Sequence, residues 1–150
     1  MENSEYIQAE GTCSLSYLYP VDLRKGTIVI IHNRPCKVID YTSIVNGKHG
    51  TSKTIVIGID IFNGNKYEIS WNGGDRVTVV ESKKENYDII DIVDEYLILI
   101  NDRGLVREDL KILSEILSNK FKTLLSNTNI NDLKVQVTKC YNIEEITNVM

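Results

Sequence analysis

The residues best placed to do chemistry form one short run, Asn46-Gly47-Lys48-His49-Gly50, where a lysine stands between two glycines and beside one of only two histidines in the chain. An amine in that position can serve as a nucleophile or as a cation aimed at another molecule. A lysine that forms Schiff bases normally needs burial or a second cation to lower its pKa, and a glycine-lined tip offers neither. The bareness suits the second role, because Gly47 and Gly50 leave the backbone free of side-chain walls and let the ammonium enter another molecule's pocket. Asn-Gly is also a common hairpin signal, and an exposed lysine at a turn is ordinarily just solvated. Two glycines nevertheless cost folding entropy that a purely structural turn need not carry twice.

Other catalytic candidates are weaker. His32 sits at the end of an apolar run and reads as a structural residue, and Asp60, at alternating spacing in "GIDIF", reads as a solvent-facing or turn-capping carboxylate. No GxSxG, HExxH, P-loop or dinucleotide fingerprint occurs. The reading is therefore of a non-enzyme. Cys13, Cys36 and Cys140 lie far apart with no CxxC pair, which fits free thiols in a reducing compartment and gives no metal site.

The elements that must hold the lysine are short β-branched runs. Residues 27–32, 36–45, 54–62, 66–71 and 76–82 predict five strands in meander order, a small barrel, with turns at Asn33-Arg34-Pro35, Asn63-Gly64-Asn65 and Asn72-Gly73-Gly74-Asp75. Lys48 then tops a hairpin between the second and third. The polar run "SKKEN" (82–86) predicts a linker to a second domain. There, residues 87–93, 96–101, 104–113, 133–141 and 143–149 predict strands, and 114–126 a helix with Ile116, Leu117, Phe121, Leu124 and Leu125 on its core face. The fold class is mostly β, with the second half an OB-like barrel carrying one inserted helix. The divisions expected are a flexible N-terminal arm over 1–20, a first domain over 21–83 and a second over 84–150.

Charge separates the halves. Residues 1–83 carry nine Lys and Arg against nine Asp and Glu, and residues 84–150 carry eight against twelve, so the net charge of −4 belongs to the second half. General attraction to nucleic acid or anionic membrane is excluded, and contact must come from a local patch. Residues 41–59 supply one: Lys48, His49 and Lys53 with no acid before Asp60. The polar, acid-bearing N-terminus and the lack of a membrane-length apolar run predict a soluble, intracellular protein.

"RKGTIVIIHNRPCKVIDYTS", "NGKHG", "IDIFNGNKYE", "YDIIDI" and "NDRGLVREDLKI" follow one another in an order that resembles the eukaryotic translation initiation factor 5A family, the hypusine-containing proteins. The resemblance spans nearly the whole chain apart from about the first twenty residues and residues 70–82. It implies an SH3-like barrel followed by an OB-fold. It also implies a cytoplasmic factor that binds the ribosomal exit-site region beside peptidyl-tRNA and promotes peptide bond formation at stalls such as proline runs. Lys48 is the residue it implies to be modified: deoxyhypusine synthase would attach an aminobutyl group from spermidine and deoxyhypusine hydroxylase would hydroxylate it, with no other cofactor. Four carbons and a nitrogen add roughly 6 Å of extended reach.

The tRNA- and ribosome-binding loop implied is Asn46, Gly47, Lys48, His49, Gly50 and Lys53. His49 either stacks on or donates to a sugar-phosphate edge or covers the turn; Lys53 either meets a phosphate or stays solvated. Family loops commonly carry a lysine before the motif and a histidine after its second glycine, where this chain has Ile44-Val45-Asn46 and Thr51-Ser52. "SWNGGDRVTV" departs as well. Two other classes of function stand beside this one: a general single-stranded RNA-binding module using Tyr87, Tyr96, Phe121 and Tyr141, and an unmodified SH3-like peptide-binding domain using Tyr41, Tyr67 and Trp71.

Overall fold

The computed structural model describes residues 15–46 and 51–150. The chain divides into two compact units between Ser82 and Lys83. Unit 1 is a six-stranded sheet built from β1 (Leu15–Leu18), β2 (Ile28–Ile31), β3 (Arg34–Asn46), β4 (Thr51–Asp60), β5 (Lys66–Asn72) and β6 (Val77–Val80), in the order β1-β6-β2-β3-β4-β5. The expected meander holds only from β2 to β5. The chain then returns, and β6 pairs with β2 through Ile28 and Val80 and with β1 from Leu15 to Leu18. Within the stretch whose composition predicts an arm, Leu15–Leu18 is a strand that supplies β6 with the partner that an edge would lack.

Two further departures have local causes. Asn33-Arg34-Pro35 is not the first turn: His32 (φ 51°) and Asn33 (φ 65°) form it, with Ile31 paired to Arg34 and Pro35 already in β3. Two consecutive positive φ values match the twist of a two-residue hairpin. His32 is accordingly an exposed turn residue, its ring 5.7 Å from that of Tyr67. In β3 the register shifts between Val38 and Asp40, which leaves Ile39 as a bulge. That extra residue restores the alternation so that both Val38 and Tyr41 reach the core.

Unit 2 holds β7 (Ser82–Val93), β8 (Tyr96–Ile100), β9 (Val106–Lys111), α1 (Glu115–Asn127), β10 (Lys134–Cys140) and β11 (Ile143–Val149), with sheet order β11-β10-β7-β8-β9. "SKKEN", expected as a linker, is the leading end of β7. Its polar side chains suit a largely solvent-facing start of a strand as well as they suit a loop, so composition alone does not separate the two. Ser114 caps α1 by accepting from the Leu117 amide. Leu117, Phe121, Leu124 and Leu125 pack on the core, whereas Ile116 is 82% exposed. At 3.6 residues per turn Ile116 lies about 140° round the helix from Phe121, off the buried face.

An arginine ties β9 to β11. Arg107 donates to Glu144 at 2.7 and 2.9 Å and to Asp109 at 3.1 and 2.7 Å. The bonds to Glu144 and then Asp109 push the guanidinium pKa up, and Arg107 in turn holds the Asp109 carboxyl below the usual carboxylate range. Because Arg107 and Glu144 are both largely covered, Arg107→Leu should destabilise unit 2 by about 2 kcal/mol, leaving Glu144 without its counter-charge. A urea titration followed through the amide signals of β8 and β11 measures it; an unchanged midpoint would contradict the role given to this pair.

Cys36 and Cys140 are both buried, and burial, reinforced by the nearby Asp60 charge, pushes the Cys36 thiol up to about 11. Cys36 is thus a small core residue and no nucleophile at neutral pH.

Candidate functional site

The β3–β4 hairpin is the longest paired element of unit 1, running from Cys36 opposite Asp60 to Asn46 opposite Thr51. β2 covers β3 only as far as Lys37, and β5 covers β4 from Ile59 to Lys53. The hairpin therefore extends about nine residues, roughly 30 Å, past its last contact with β2. Gly47, Lys48, His49 and Gly50 join its ends and lie outside the described residues, as do the side chains of Asn46 and Thr51.

Its base is anchored by charge. Arg34 Nε and Nη2 donate to the two Asp60 carboxylate oxygens at 2.6 and 3.2 Å, and the Phe62 and Asn63 amides donate to Oδ1 at 2.8 and 3.1 Å. Asp60 is 1% exposed. Burial alone would push its carboxyl up, but the bonds from Arg34 and the two amides outweigh it and hold the pKa below the ordinary value. The turn-capping half of the sequence reading for Asp60 is right and the solvent-facing half is not. Sequence reasoning missed its partner, because only the register places Arg34 beside it.

Along the stem, one face stays on the core: Thr54 and Val56 are buried, with Tyr41, Ile69 and Trp71 packed nearby, and the Ser43 and Thr54 hydroxyls are 3.2 Å apart. Toward the tip that cover ends, and Val45 is 70% exposed. Lys53 is exposed on the opposite face, level with Ile44 and Asn72 and without an ion pair among the described residues. The other lysines on that face, Lys37 and Lys66, flank Ile59. Ile59 lies six residues along β4 from Lys53, roughly 20 Å. Lys53 is therefore the described cation closest to the tip along the hairpin.

Of the aromatic candidates, Tyr41, Tyr67 and Trp71 are partly buried against the unit 1 core, Tyr87 and Phe121 are buried in unit 2, and Tyr96 is exposed with the Lys111 ammonium 5.5 Å from its ring. The described residues hold no group of three or more His, Cys, Asp or Glu able to bind a metal ion, and no described helix is long and apolar enough to cross a membrane.

Residues 18–73 match the model of the translation initiation factor 5A-like N-terminal domain, and residues 82–149 that of the eukaryotic elongation factor 5A hypusine, DNA-binding OB fold. The chain is 32% identical over 126 residues to eukaryotic translation initiation factor 5A-1 of Schizosaccharomyces pombe, covering 81% of this chain and 80% of that one. The chain belongs to the translation initiation factor 5A family. Factor 5A of Spodoptera exigua is 42% identical over 106 residues, 68% of this chain and 66% of that protein. Among solved structures, a factor 5A family protein from Naegleria fowleri superposes with a TM-score of 0.80 at 31% identity, covering 90% of this chain and 97% of that one. The architecture is that of the factor 5A family, mostly β with an SH3-like domain followed by an OB fold.

Proposed function

We propose that this chain is a cytoplasmic translation factor that binds the ribosome near the exit site and uses a hypusine at Lys48 to position peptidyl-tRNA, promoting peptide bond formation at stalls such as proline runs. Family membership and the motif at Lys48 support the reading. The observation that carries it furthest is the hairpin, anchored at Asp60, projecting beyond β2 on one side and flanked by β5 on the other, with paired ends at Asn46 and Thr51. A stiff stem aims what it carries, and a doubly charged, lengthened arm would meet the phosphates and 2′-hydroxyls at the acceptor end of the tRNA. The chain then makes and breaks no bond; it restrains a substrate so that the ribosome's own centre can act.

In this reading deoxyhypusine synthase and deoxyhypusine hydroxylase act on Lys48, with spermidine supplying the added carbons. Asn46, Gly47, His49, Gly50 and Lys53 make up the rest of the contact loop. Reconstituted translation on a polyproline template tests it, comparing the chain with and without enzymatic modification. The modified form should speed bond formation by at least about tenfold, equivalent to about 1.4 kcal/mol off the barrier. Equal rates from both forms would sink the proposal.

A further inference from the structure

The side of the β3–β4–β5 sheet turned away from the core carries its residues in cross-strand rows. Ile59 stands between Lys37 and Lys66, the next row toward the tip sets Ile57 between Asp40 and Glu68, and the one after sets Ile55 between Thr42 and Ser70. Residues directly opposite share a face. Val56 and Gly58 alternate with these isoleucines and are buried, whereas the three isoleucines are half-buried and the six residues flanking them are exposed.

Charge on this face comes in bands, one row basic at both ends and its neighbour acidic at both ends. Lys37, Asp40, Lys66 and Glu68 have no ion pair among the described residues. Asp40 accepts the Tyr41 amide through one carboxylate oxygen, at 2.9 Å.

Such a surface is complementary to itself. A two-fold axis lying across the strands, midway between the two charged rows, reverses strand direction and keeps each strand over its own counterpart. It sets Lys37 over Asp40 of a second copy, Lys66 over Glu68 and Ile59 over Ile57, and symmetry repeats each contact the other way. Opposite charges then flank an isoleucine centre on both sides. Moving the axis onto either charged row would set like charges together, so the pattern selects one register.

We propose that this face of unit 1 is the contact between two copies of the chain, an isologous dimer centred on Ile57 and Ile59 and held in register by the Lys37–Asp40 and Lys66–Glu68 pairs. Three strands about 4.8 Å apart and five residues long cover roughly 300 to 400 Å² per copy, below the standard interface, which places the dissociation constant on the order of 100 μM. The dimer is therefore reversible. Its hairpins run antiparallel, which directs their two tips to opposite ends of the pair.

The test is sedimentation equilibrium of the full-length chain at about 50 mM salt, where exposed charges are little screened. The parent should associate to a dimer, and dilution should move the amide signals of residues 37–42, 55–59 and 66–70. Glu68→Lys and Lys66→Glu each set like charges together and should each weaken self-association at least about tenfold. Mixed in equal amounts, the two variants should pair about as tightly as the parent, because each supplies the charge that the other has lost. Both positions are exposed, and unchanged Trp71 fluorescence checks that each variant is folded. A parent that stays monomeric at about 500 μM overturns the proposal and leaves the face to a different protein. So does a single variant that dimerises like the parent, a mixture that stays monomeric, or a dimer whose shifted amides lie elsewhere.

Discussion

Lys48→Arg should remove the stimulation of polyproline synthesis while leaving the fold intact. Arginine keeps the positive charge but cannot accept the aminobutyl group. A basic tip that merely met phosphates would be served at least as well by a guanidinium, which stays charged and donates in a fixed fork. A lengthened arm would be lost outright, so the rate on a polyproline template should fall to that seen without the factor. The stability in a urea titration should stay within about 0.5 kcal/mol of the parent, because the proposal gives Lys48 no part in holding the fold. Normal activity from Lys48→Arg would mean that charge, not the modified arm, carries the role.

The largest effect on stability should come from Asp60→Ala. It removes the carboxylate that Arg34 donates to and the acceptor of the Phe62 and Asn63 amides, at the end of the hairpin opposite Lys48. Breaking a buried pair costs 3–5 kcal/mol, and because Arg34 keeps some contact with water the lower end applies, about 3 kcal/mol. Trp71 is the single tryptophan and packs on the unit 1 core, so its fluorescence follows this unit alone in a urea titration. The sign with pH is fixed by the direction of the shift. The folded carboxyl sits below its ordinary value, so its stabilisation is full above about pH 5 and drains as pH falls through the folded pKa. The gap between parent and Asp60→Ala should therefore narrow below about pH 4. A gap of under about 1 kcal/mol at neutral pH would show that the anchor is weaker than its geometry indicates.

What could be read from the sequence follows the range of the interactions involved. β4, β5, β10 and β11 were legible because β-branched runs bounded by turn residues specify strands locally, and α1 because its apolar spacing is helical. The return of β6 to β2, the bulge at Ile39 and the strand made of "SKKEN" were not, since each depends on a partner distant in sequence or on backbone pairing that composition does not encode. His32 misled because positive φ at two consecutive residues is usually signalled by glycine or asparagine, and only Asn33 gives that signal. For the site, the hairpin under Lys48 was legible, and the lysine itself rests on its motif. Its anchor was not: the Arg34–Asp60 bond exists only once the register is known.

The central claim is that Lys48 carries a spermidine-derived arm, and the most direct measurement is peptide mass spectrometry across residues 38–53 of protein purified from its native host. The account predicts an added aminobutyl mass, with or without one further oxygen, on Lys48, and an unaltered Lys53 in the same peptide. Native protein with an unmodified Lys48 would contradict it.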